Sequence, residues 1–362
     1  MPGRQAPDLG APLTFARGPA WRNRLALAPL TNLQSHDDGR LSDDEYAWLV
    51  RRGEGGFGMV MTCAAHIRPD GHTFPGQLGV AGEEHLPGLT RLADAIAATG
   101  AVSCMQLQHG GRRADGTAGT PLVAPWDDEA KGAVALSTAG VERVVADFAA
   151  AAALAERAGF GGVELHGAHG YLLGQFLDAR KNLRTDRYGG SPENRSRVIH
   201  ETIEAVRAVT GPDFQLGLRL SPERYGVPLR DARTLAAEVL AGGRIDYLDL
   251  SLWDAFKEPY EPEFAGRRLI DYFTDLPRGE VRLGAAGKIL SAAHGREILE
   301  RGADFVLIGT GAIIHHDFAA RAVADPEFVS DPQPVPAQRL CAESVGPAFL
   351  EYLATNWNDF VS

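Results

Sequence analysis

The chain has 362 residues, 44% of them hydrophobic and 23% charged, which excludes a disordered chain and allows a sizeable core. Its formal net charge of −11 argues against nucleic acid or an anionic membrane as the main partner. Three widely separated cysteines, Cys63, Cys104 and Cys341, form no CxxC pair, which argues against a zinc ribbon or an iron–sulfur cluster. The odd count suits a reducing compartment. The first residues hold no apolar signal region, and no apolar run is long enough to span a bilayer. A cytoplasmic protein is expected.

Residues 1–22 come first, and Thr14-Phe15 with the Gly18-Pro19 turn predicts a short hairpin. Eight short apolar runs follow, at 25–30, 58–63, 102–107, 162–165, 215–220, 247–250, 281–285 and 305–308. Helical patterns intervene at 42–52, 85–99, 138–158, 192–209, 231–240, 292–301 and 318–324, with a weak one at 270–276. Ser191 reads as an N-cap with Pro192 at the first helical position. A last amphipathic stretch covers 347–356. Strands alternating with helices imply a parallel sheet, and eight units imply a (β/α)₈ TIM barrel. The hairpin would cap its floor and the last helix would close the chain. One domain over 1–362 is expected, with a barrel core at about 23–325 and a C-terminal extension at about 326–362. An open doubly wound sheet is the alternative, but no G-x-G-x-x-G follows an early strand. Two long polar segments, 110–136 and 252–267, are expected to shape ligand choice.

A barrel keeps its chemistry where the strands end. The first run ends in Ala28, Pro29, Leu30 and Thr31. The third carries Gln106, then Gln108 and His109. The fourth passes through Glu164 into His166, with His169 and Tyr171 on the loop beyond. Two imidazoles and a phenol can hold and protonate an oxygen-bearing substrate. As metal ligands the histidines lack a convincing third partner. The fifth run holds Arg219 between leucines, where a cation needs an anion or a strong acceptor. Pairing with Glu164 or Asp249 is its structural alternative. The seventh run enters Gly284-Ala285-Ala286-Gly287-Lys288, and the eighth enters Gly309-Thr310-Gly311. Glycines there let backbone N–H groups approach a phosphate. A phosphate-bearing cofactor is therefore expected, with its reactive end near Thr31, Gln106 and Arg219. Cys63 reads as a small buried residue or as part of the cofactor lining. His315-His316 are expected to begin the last barrel helix or to cover the cofactor entrance.

These motifs, together with Asn23-Arg24, the run Gln106-Leu107-Gln108-His109-Gly110-Gly111-Arg112 and the segment from Asn182 to Arg195, resemble the Old Yellow Enzyme family of FMN-dependent ene-reductases. The resemblance runs from about residue 15 to about 325. It implies non-covalent FMN across the barrel mouth, near Ala28, Pro29, Leu30 and Thr31. It implies a flavin-tuning hydroxyl at Thr31, an amide on the pyrimidine edge at Gln106, and a cation near the reduced ring at Arg219. Gly284, Ala286, Gly287, Gly309 and Thr310 would hold the phosphate end. His166 and His169 would bind the oxygen of an activated alkene, and Tyr171 would donate the proton, with NADPH or NADH as hydride donor. The family usually shows Gly-Arg where this chain has Gly309-Thr310, so the Thr310 hydroxyl with Lys288 or Arg282 is expected to stand in. A metal-dependent barrel hydrolase or aldolase, and an FMN-binding protein without turnover, are the alternatives. A homo-oligomer, the physiological substrate and the choice of nicotinamide are left open.

Overall fold

The computed structural model describes residues 8–362. Ten strands form in chain order: β1 (Leu25–Leu27), β2 (Met59–His66), β3 (Val102–Gln108), β4 (Leu122–Ala124), β5 (Ala133–Ala135), β6 (Gly162–Gly167), β7 (Gln215–Leu220), β8 (Tyr247–Ser251), β9 (Arg282–Ala286) and β10 (Phe305–Ile308). All but β4 and β5 close into one parallel barrel in the order β1-β2-β3-β6-β7-β8-β9-β10, with β10 pairing back to β1. The expected barrel is therefore present. β1 is shorter than expected because Pro29 has no N–H; Ala28 is the last residue to donate across the seam, to the Ile308 carbonyl at 3.0 Å. β2 runs longer than expected, with an irregularity between Met61 and Ala64. The segment 110–136 forms its own two-stranded sheet, β4 with β5, which its composition did not signal.

Helices cover the outside. Ser42, Ser137, Ser191 and Ser291 each cap one by accepting from the N–H three residues on. The weak pattern at 270–276 yields only Asp271–Thr274. The closing helix is Pro347–Asn356, as expected.

Alternation along each strand divides the barrel. Val163, Leu165, Leu216, Leu218, Leu248 and Leu250 face the helices, while their neighbours face the axis. At the floor the axis is filled by rings. The Gly18 turn returns the chain so that Leu13 and Trp21 exchange two backbone hydrogen bonds of 2.9 Å. Trp21 then meets Phe305 and Tyr247 edge-on, at 5.0 and 5.6 Å between ring centres. Two glycines make room. A Cβ on Gly217 would lie 2.2 Å from the Tyr247 ring, and one on Gly284 would lie 2.2 Å from Phe305. The barrel is thus closed below.

Candidate active site

Above the aromatic floor the inward positions turn polar. Gln106, Glu164, His166, Arg219 and Asp249 are all buried, and His166, Arg219 and Asp249 share one register across β6, β7 and β8. Gln106 Nε2 donates to Glu164 Oε1 at 2.7 Å. Arg219 Nε lies 2.9 Å from Asp249 Oδ2. The structural alternative for Arg219 is thus realised at its Nε, while its charge also acts on His166 and His169.

His169, Gly170 and Tyr171 follow β6. His169 adopts a left-handed φ of 56°, and its N–H donates to Ser221 Oγ at 3.1 Å. The bend brings the His166 ring 4.9 Å from His169 and 5.0 Å from Tyr171, centre to centre. The imidazole tautomers follow from their neighbours. The Ala168 N–H donates to His166 Nδ1 at 3.2 Å, so a neutral His166 carries its hydrogen on Nε2. That hydrogen faces His169 Nδ1 at 3.1 Å, which leaves the His169 hydrogen on Nε2, facing Ser251 Oγ at 2.7 Å. Both rings are held neutral: burial, then neighbouring positive charge, moves His166 well below its ordinary value and His169 down to about 3. The two donors are therefore arranged in series and end on Ser251, a residue the sequence reading missed. Nothing in the sequence ties a serine 82 positions away to His169.

Burial pushes the Tyr171 hydroxyl up, and the Arg113 charge partly offsets this. The Arg113 guanidinium lies 4.9 Å over the Tyr171 ring and donates to the His169 carbonyl. Arg113 was not singled out in the sequence either; only its place after Gly111-Arg112 hinted at it.

Several expectations are corrected. Cys63 packs with the helical layer and bonds to Glu45, because the irregularity after Met61 turns it away from the axis. It does not line the barrel interior. Gly284 lies within β9, where the Phe305 ring takes its side-chain space, so packing accounts for it. Arg282 sits at the opening of β9 and donates to the Thr14 carbonyl at the floor, the end of the strand opposite the mouth. Lys288 pairs with Asp254 at 3.0 Å. His315 and His316 tie down the C-terminal extension: His315 Nε2 accepts from the Asp331 N–H at 3.0 Å, and the His316 N–H donates to Glu343 at 2.7 Å.

The rim carries the remaining candidates. Ala28 is buried at the end of β1, and Pro29, Leu30 and Thr31 lie partly open beyond it. Ala286 ends β9, and Gly287, Gly309 and Thr310 stand partly open beside it. Comparison with known proteins now bears on this arrangement. Residues 8–323 match the model of the NADH:flavin oxidoreductase / NADH oxidase family. The chain belongs to that family, the Old Yellow Enzyme family. It is 34% identical over 322 residues to a probable NADH-dependent flavin oxidoreductase of Bacillus subtilis, covering 86% of each chain. It is 34% identical over 302 residues to an NADPH dehydrogenase of Bacillus pumilus, covering 81% of this chain and 88% of the relative. A solved structure of morphinone reductase with tetrahydroNAD superposes with a TM-score of 0.77 at 26% identity, over 92% of this chain and 94% of the other. As a member of the Old Yellow Enzyme family the protein is an NAD(P)H-dependent flavin oxidoreductase whose cofactor is FMN.

The residues fit that cofactor. A Cβ on Gly309 would meet nothing closer than Leu30 at 3.6 Å, so no protein atom needs the space above it. With Gln106 Nε2 committed to Glu164, the Gln106 carbonyl remains to accept from an imide N–H. Arg219 is a buried cation whose charge acts on this end of the barrel.

Proposed function

We propose that this Old Yellow Enzyme reduces activated C=C bonds, of α,β-unsaturated carbonyl or nitro compounds, in a ping-pong cycle. Bound at the mouth, FMN would supply two-electron chemistry between NADPH or NADH and the alkene. Ala28, Pro29, Leu30, Thr31, Gln106 and Arg219 would hold its ring; Ala286, Gly287, Gly309 and Thr310 would hold its phosphate end. The barrel and its C-terminal extension act as one domain, in the cytoplasm.

The observation that carries the reading is the neutral His166–His169 pair beside Tyr171. A neutral imidazole donates one N–H without bringing a charge that the solvent-poor site would have to desolvate. Donation to the substrate's carbonyl or nitro oxygen stabilises the negative charge that develops there and activates the distal carbon. The His169 hydrogen is released to the substrate when its contact with Ser251 opens. Tyr171 then gives its hydroxyl proton to the α-carbon, and water restores it. Arg219 would favour a negatively charged cofactor ring by the rule that a nearby cation stabilises an anion.

Stopped-flow measurement of the two half-reactions tests this. Tyr171→Phe should leave reduction by NAD(P)H nearly intact and slow reoxidation by an enone roughly 10²-fold. His166→Ala or His169→Ala should slow reoxidation by a similar factor and weaken binding of phenols, which mimic an enolate. Wild-type reoxidation by the Tyr171→Phe variant removes the proton assignment.

A further inference from the structure

Three ionisable side chains meet on the barrel axis with more acid than base. Glu164 on β6 and Asp249 on β8 are both 0% exposed. Among the described residues the cation acting on them is Arg219, on β7 between them. Its Nε is 2.9 Å from Asp249 Oδ2 but off the line of a hydrogen bond. Glu164 accepts from Gln106 at Oε1 and is also met by the Tyr247 hydroxyl, whereas both Asp249 oxygens have no hydrogen-bond partner in the structure.

The other groups facing the pair supply no second positive charge. Cys104 and Gln106 come from β3, and Tyr247 from β8 bonds to Cys104 at 3.2 Å. His166 lies one step above on β6 and is held neutral. Gly217 and Gly284 contribute no side chain, and Phe305 closes the floor. Two carboxylates and one guanidinium sum to −1. An uncompensated charge in a dry interior is costly, and binding a proton avoids that cost.

We propose that Glu164 and Asp249 form a one-proton site on the barrel axis, protonated at neutral pH chiefly on Glu164, whose proton content follows the charge of the cofactor above. The assignment within the pair follows from contact: Asp249 has the arginine and Glu164 does not. Burial first, and then the Asp249 charge, hold the Glu164 carboxyl well above the usual range. Burial also raises Asp249, with Arg219 opposing it. At any pH a fraction of molecules has Glu164 ionised, and when the cofactor gains negative charge from NAD(P)H that ionised form becomes more costly. A proton then enters from solvent and ends on the Glu164 carboxylate in that fraction, and no electron moves on the protein. This link to the cofactor rests on the proposed site; the proton site itself does not.

Two measurements separate them. In the cofactor-free protein at pH 7, infrared difference spectra of wild type against Glu164→Gln should show the C=O stretch of one protonated carboxyl. In Asp249→Asn the loss of the like charge should move that band's disappearance to lower pH. No such band at pH 7, or an unchanged band in Glu164→Gln, overturns the proton site. In FMN-loaded protein reduced anaerobically by NADH in weak buffer, wild type should take up more protons per flavin than Glu164→Gln between pH 6 and 8. Equal uptake overturns the coupling. Failure to bind FMN would count against the proposed cofactor site and leave the infrared result standing.

Discussion

The floor and the mouth of this barrel are both built from inward positions of its strands. At the floor Tyr247 on β8 and Phe305 on β10 take these positions and pack edge to edge with Trp21 of the N-terminal hairpin, with Gly217 and Gly284 giving up their side chains to admit the rings. At the mouth the inward positions hold Gln106, Glu164, His166, Arg219 and Asp249, with several polar atoms left unpaired. The floor is apolar and complementary in shape. The mouth is polar and incompletely satisfied, a condition rare in protein interiors except where a ligand or a proton is to be bound. Folding stability and ligand chemistry are thus placed at opposite ends of one axis.

Cutting into the floor should give the largest effect. Phe305→Ala removes a wholly buried ring and should cost about 3–5 kcal/mol of folding stability by denaturant titration. FMN affinity in the variant that still folds should change little. A comparable loss of both would show that the floor and the mouth are not separable.

The mouth should instead weaken the fold in acid. Folding keeps His169 neutral down to about 3 against an ordinary 6.5, so between these values the unfolded chain binds more protons. The contribution is fully present above the ordinary value and is lost as pH falls. His169→Gln should flatten the dependence of stability on pH across that window, and an unchanged slope would remove the assignment. Glu164 acts in the opposite sense, because a raised carboxyl loses stability as pH rises.

Smaller changes sharpen the chemistry at the rim. Thr310 is partly open beside Gly309, where the family resemblance implies an arginine. Thr310→Arg should tighten FMN roughly tenfold through a charge-assisted hydrogen bond to phosphate. An unchanged or weaker affinity by fluorescence titration would show that Thr310 is not at the phosphate. Ser251→Ala should free the His169 Nε2 hydrogen and tighten phenol binding about fivefold, the worth of one modest hydrogen bond. Unaltered affinity would mean that ligands do not compete with Ser251.

Much of this was legible in the chain. The alternation of apolar runs and helical patterns specified the barrel because strands buried on both faces read as short continuous apolar runs and the covering helices bury one face each. His166, His169 and Tyr171 were visible as a spaced cluster at a strand end. Cys63 is the small buried residue that its type suggests, and its alternative place in the cofactor lining fails because a register irregularity of one residue sends the side chain to the other face of the sheet. Gly284 was misread because a glycine kept for a ring and a glycine kept for a phosphate look alike in a string of letters. Arg282 was misread because a strand's two ends differ in function, and only the register says which end a residue occupies.

By itself the sequence determined what local patterns encode: the eight strands, the serine caps, the polar strand ends and the family. Tertiary structure alone decided what depends on residues far apart meeting. Ser251 ends the histidine chain, Arg113 lies over Tyr171, and Glu164, Arg219 and Asp249 share the axis with one cation for two acids. The physical reason is that periodicity reports which face a side chain takes, whereas charge balance and hydrogen-bond direction depend on which side chains face it across the barrel.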